Sequence, residues 1–87
     1  MNPRHWDKVI KQYLAGRKKL HVLSYQQISK RLRTSGVEQS PQNLSAKFNQ
    51  GKLSASLFVS SLLAMGEKKI NLLELAAILE ESQKDTP

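Results

Sequence analysis

The stretch Leu23-Ser24-Tyr25-Gln26-Gln27-Ile28-Ser29-Lys30-Arg31-Leu32, followed by Ser40-Pro41-Gln42-Asn43-Leu44-Ser45-Ala46-Lys47-Phe48-Asn49-Gln50-Gly51, decides how this chain is read. Ser24 precedes an apolar-periodic run as an N-cap, and Gln27 three residues on completes a capping box. Leu23 and Ile28 bracket the pair as a hydrophobic staple. Ser40-Pro41 is a second start, with proline at the first helical position, where a missing N–H costs nothing. Gly36 and Gly51 each follow such a run, where a left-handed residue ends a helix.

The same punctuation extends to both ends of the chain. Trp6, Val9, Ile10, Tyr13, Leu14 and Arg17 recur at helical spacing. Leu53-Ser54 followed by Phe58 repeats the cap and staple. Ile70-Asn71 followed by Glu74 and Leu75 repeats box and staple together, and Gly66 is a third stop. The predicted helices are Pro3–Leu20, Tyr25–Arg33, Pro41–Asn49, Ala55–Met65 and Leu72–Ser82. Together they make one all-α, compact five-helix domain over residues 1–82, with a frayed tail over 83–87. The expected core is Trp6, Ile10, Tyr13, Leu14, Ile28, Leu32, Val37, Leu44, Phe48, Leu57, Phe58, Leu62, Leu63, Ile70, Leu75 and Leu79.

Composition narrows the function. A chain of 87 residues without cysteine has no disulfide, thiolate metal site or cysteine nucleophile, and little room for a deep catalytic cavity. The start, Met1-Asn2-Pro3-Arg4-His5-Trp6-Asp7, has no apolar signal core. The apolar-rich stretch Leu57–Met65 is too short to span a bilayer, so a soluble, cytoplasmic protein without membrane association is expected. The charge is segregated. Residues 1–52 hold eleven basic side chains against Asp7 and Glu38, a net +9, whereas residues 53–87 carry a net −2. Solubility alone does not need that segregation; a polyanion-binding face does.

Two short helices joined by a glycine-containing turn in the basic half have the plan of a helix-turn-helix. The helix-start segment around Gln26, Ile28 and Ser29 resembles the first motif helix of phage-repressor-type (Cro/repressor-like) domains. Ser40-Pro41-Gln42-Asn43-Leu44-Ser45 is similar to the start of that family's recognition helix. Asn49-Gln50-Gly51-Lys52 resembles its following Gly-Lys turn, and Leu62-Leu63-Ala64-Met65-Gly66 resembles the end of its fourth helix. The chain is also similar to a group of short bacterial proteins with the same Asn-Leu-Ser…Gly-Lys arrangement. One departure is the connection Arg33-Thr34-Ser35-Gly36-Val37-Glu38-Gln39, longer than the family's tight turn. Another is Phe48, which stands near where the family often has Glu.

The resemblance implies a sequence-specific double-stranded DNA-binding protein, a small bacterial, phage or plasmid transcriptional regulator. Ser40, Gln42, Asn43, Ser45 and Lys47 would face base edges, and Gln26, Lys30, Arg31, Arg33, Gln50 and Lys52 would contact the backbone. The last helix is apolar beyond one stripe, which predicts a homodimer through Leu72, Leu75, Ile78 and Leu79. No cofactor or metal is expected, because His5 and His21 lie far apart in sequence. Each of these residues also has a plainer role. Gln42 and Asn43 fit an exposed first turn, Arg17-Lys18-Lys19 a solvated helix end, Trp6 and Tyr13 the core, and Ser24, Ser40 and Ser54 simple caps. The leucines of the last helix fit a small core. The competing function is a protein-interaction or assembly module with only nonspecific nucleic-acid affinity. RNA binding lacks an exposed aromatic platform, and no catalytic constellation supports an enzyme.

Overall fold

The computed structural model describes the backbone of residues 3–84 and the side chains of residues 5–82. Five helices follow in order: α1 (Pro3–Leu20), α2 (Tyr25–Thr34), α3 (Pro41–Gln50), α4 (Ala55–Met65) and α5 (Leu72–Lys84). All five were predicted. The ends of α2 and α3 lie one residue further on, and α5 continues two residues further, so Gln83 and Lys84 are helical. The rest of the expected tail, residues 85–87, lies outside the described residues.

The caps explain why the helices begin and end there. Ser24 accepts the Gln27 N–H while the Gln27 side chain accepts the Ser24 N–H, a complete capping box. Ser40 and Ser54 accept N–H groups of Asn43 and Leu57, both at 3.1 Å. The box expected at Asn71 is only half formed. Asn71 accepts the Glu74 N–H at 3.0 Å, but its own N–H donates to the Tyr13 hydroxyl at 3.0 Å. The Glu74 carboxylate is instead taken by Arg17. A tertiary partner has replaced a local one, because Arg17 brings a full charge where the backbone N–H offers a dipole.

Gly36, Gly51 and Gly66 are all left-handed, and the residue after each bonds back to a carbonyl one turn earlier: Val37 to Leu32, Lys52 to Lys47 and Glu67 to Leu62. The end of α1 has the same geometry with the wrong residue. Val22, at φ 53°, holds the left-handed position while Leu23 bonds back to Lys18 at 3.1 Å. A left-handed conformation costs a residue with a Cβ about 1–2 kcal/mol, and Val22 is exposed and has no packing to lose. Val22→Gly is therefore expected to stabilise the chain by about 1 kcal/mol, raising Tm by about 4–8 °C. Thermal unfolding followed by circular dichroism checks this, and an unchanged or lower Tm would show that the backbone there is unstrained.

One core joins the helices. Val9, Tyr13, Leu14, Ile28, Leu32, Leu44, Phe48, Leu57, Leu62, Met65 and Leu75 are buried, with Trp6, Ile10, Val37, Phe58, Ile70, Ile78 and Leu79 packed around them. Three buried residues, Val9, Leu23 and Met65, were not among those expected. One expected residue is misplaced: Leu63 is 64 % exposed. The buried stripe of α4 runs Leu57, Ser61, Met65, at four-residue spacing, with Phe58 and Leu62 beside it. Val59 and Leu63 stand further round and point outward. Among the described helices, α3 packs on α1 and α2 only, while α1 also carries α5 and α4.

Candidate functional site

Helix α3 is fixed by what it buries. Leu44 and Phe48, one turn apart, enter the core, and the Tyr25 ring meets Phe48 edge-on at 5.5 Å between centroids. Burial pushes the Tyr25 phenol above its ordinary pKa, partly offset by a hydrogen bond from Ser45. The far end of α3 docks on α1. The buried backbone of Gly51 lies against Asp7 so closely that an added Cβ would overlap the Asp7 carbonyl oxygen and fall 2.7 Å from its carbon.

This packing turns Gln42, Asn43, Ala46, Asn49 and Gln50 to solvent as one continuous face. Gln42 and Asn43 were expected to lie there and Gln50 was expected as a backbone contact; Ala46 and Asn49 were not singled out, although the helical period alone gives them. Ser45 and Lys47 are half-buried, and Ser45 is engaged by Tyr25 and by the Asn49 amide at 3.4 Å. Ser45 is thus a seam residue between α2 and α3 rather than an outward one. Ser40 is exposed, with its hydroxyl on the cap of α3.

Beside this face runs a groove of about 500 Å3, with Tyr25, Gln26, Pro41, Gln42 and Ala46 in its walls. It brings Gln26 and Gln42 together from two helices. Lys18, which sequence reasoning had left at a solvated helix end, sits with its ammonium 4.5 Å from the centre of the Tyr25 ring. The turn at 21–24, closed by the Leu23 N–H on the Lys18 carbonyl, brings Lys18 to that ring.

The longer α2–α3 connection is held at three points. Val37 bonds to Leu32 at 2.9 Å and packs on the core, Gly36 takes φ 85°, and the buried Ser29 hydroxyl donates to the Gln39 carbonyl at 2.5 Å. The cations of α2 are divided. Lys30 is exposed; Arg31 donates to the Ala64 carbonyl at 3.1 Å near the end of α4; Arg33 pairs with Glu38 at 3.7 Å on the surface. Gln50 and Lys52 are exposed. Arg17 is not solvated either. It lies 5.0 Å from the centre of the Tyr13 ring and pairs with Glu67 at 3.3 Å and with Glu74. No group of metal-ligating side chains comes together, and no helix is long and apolar enough to cross a membrane, among the described residues.

The expected interface on α5 is rearranged. Leu75 is 6 % exposed and belongs to the core, and Ile78 and Leu79 are half-buried against it. The outward face of α5 is Leu72, Leu73, Ala76 and Ala77, followed by Glu80 and Glu81.

Fold and surface together define an all-α five-helix protein with an amide-rich helix displayed beside an open groove. The chain belongs to the family described as a domain of unknown function (DUF6471), whose model matches residues 6–70, from within α1 to the residue Ile70 before α5. No curated protein and no solved structure matches the chain.

Proposed function

We propose that this chain is a sequence-specific double-stranded DNA-binding protein, a small transcriptional regulator reading the major groove with α3. The observation that carries the reading is the outward face of α3, uncharged and amide-bearing, within a segment of net charge +9. Gln and Asn pair bidentately with adenine, and a small Ala leaves room for a thymine methyl. Lys18, Lys30, Lys47 and Lys52 supply phosphate contacts that hold register without reading sequence. Ser24, Ser40 and Ser54 use their hydroxyls as helix caps, which speaks for binding rather than nucleophilic chemistry.

A homodimer through α5 completes the reading, with Leu72 and Leu73 in place of the buried Leu75. Two copies of α3 about 34 Å apart would match a palindromic site. Sedimentation tests this part. The wild type is expected to run as a dimer and a still-helical Leu72→Glu as a monomer. A wild type that stays monomeric at every concentration ends the dimer reading.

Fluorescence anisotropy with duplex fragments flanking the gene, across a salt series, tests the DNA reading. One fragment is expected to bind far more tightly than the rest, with a log–log salt slope of roughly −5 to −7 for six to eight phosphates. If no duplex binds better than about 10⁻⁵ M near physiological salt, the regulator reading falls. The protein-interaction module then takes its place, favoured by the leucines exposed on α4 and α5.

A further inference from the structure

The large apolar side chains left exposed among the described residues are Leu20, Val22, Val59, Leu63, Leu72 and Leu73. They come from the end of α1 and the turn after it, from α4 and from the first turn of α5. Those three segments meet, because Arg17 on α1 pairs with both Glu67 and Glu74, and His21 pairs with Glu67 at 2.7 Å. Of these, Val59 and Leu63 share one open surface beside that junction.

Within it lies a groove of about 300 Å3, walled by Val59, Leu62, Leu63 and Ile70 and rimmed by Lys68 and Lys69. Glu67 also lines it but is already engaged by Arg17 and His21. Lys68 and Lys69 are exposed and hold no ion pair among the described residues. The open groove thus has an apolar floor and an unneutralised positive rim.

We propose that this groove receives the apolar face of an acidic amphipathic helix from a partner protein. Val59 and Leu63, one turn apart on α4, match the spacing of anchors on such a helix. Its carboxylates meet Lys68 and Lys69. A second copy seated groove to groove would set the lysines of each copy against those of the other; the dimer proposed above uses the outward face of α5 instead. Helix α3 has no packing contact with α4 or α5, so the docked helix leaves the α3 face uncovered. The proposal stands apart from the DNA reading and survives its failure.

The test is anisotropy of a labelled synthetic helix bearing Leu at the i, i+3, i+4 and i+7 positions and Glu elsewhere, titrated with the full chain. A counterpart with Lys for every Glu is the control. The Glu helix is expected to bind and the Lys helix not. Lys68→Glu with Lys69→Glu should weaken the Glu helix by about tenfold or more and allow the Lys helix to bind. Leu63→Ala should weaken the Glu helix with unchanged circular dichroism, since Leu63 is largely exposed. Absence of binding, equal binding of the two helices, or an indifferent charge-reversed variant overturns the proposal. So does a concentration-dependent dimer dissolved by Leu63→Asp, which would make a second copy the occupant.

Discussion

Gly51→Ala is expected to cost the fold about 3 kcal/mol or more, the largest effect of a methyl added at any of its four glycines. Two causes combine. At φ 66° the residue is left-handed, which costs a residue with a Cβ about 1–2 kcal/mol. The new Cβ also runs into the backbone of Asp7, which has no rotamer to escape by, so α3 and α1 must move apart. Overpacking of that kind costs typically about 1–3 kcal/mol. The loss is a large share of a total stability of about 5–15 kcal/mol. Gly36→Ala separates the two causes. Gly36 is also left-handed, at φ 85°, but a Cβ there meets nothing within 4 Å, so its cost is only the conformational part, about 1–2 kcal/mol. Urea unfolding of both variants by circular dichroism gives the comparison. Equal losses would mean that α3 does not dock tightly on α1 at Gly51.

The second large effect is on binding. Gln42→Ala with Asn43→Ala is expected to lower affinity for the preferred duplex roughly 30-fold to 10⁴-fold. The estimate takes two bidentate contacts at about 1–3 kcal/mol each and tenfold per 1.4 kcal/mol. Both side chains are exposed, and the only structural task at Asn43 is its backbone N–H to Ser40, which alanine keeps. Helicity should therefore hold. The salt slope should also hold, because a neutral amide displaces no counterion, whereas Lys30→Ala should reduce the slope by about 1 and weaken all duplexes alike. If the double variant keeps its preference among fragments, α3 is not the reader.

The two predictions depend on different kinds of information. The starts at Ser24, Ser40 and Ser54 and the stops at Gly36, Gly51 and Gly66 are local. Each rests on a side chain or a φ angle within a few residues, so the five helices could be read from the sequence within a residue or two. The amide face of α3 was legible for the same reason: Leu44 and Phe48 mark the buried side, and the helical period puts Gln42 and Asn43 opposite. The local signals failed where a distant partner intervened. Glu74 leaves its own cap for Arg17, and Leu63, one apolar residue in an apolar helix, turns outward because Ser61 holds the core stripe.

The sequence by itself determined five helices with their caps, an all-α class and a basic half carrying a polar helix. The DNA reading built on these awaits the duplex titration. Only the tertiary structure decided which cations remain open. It holds Arg17 against Glu67 and Glu74 and Arg31 against Ala64. It also decided that α5 buries Leu75 and displays Leu72 and Leu73. The physical reason is reach. Capping and periodicity act within one or two turns, whereas a side chain's charge partner and its burial are set by helices that meet only after the chain has folded.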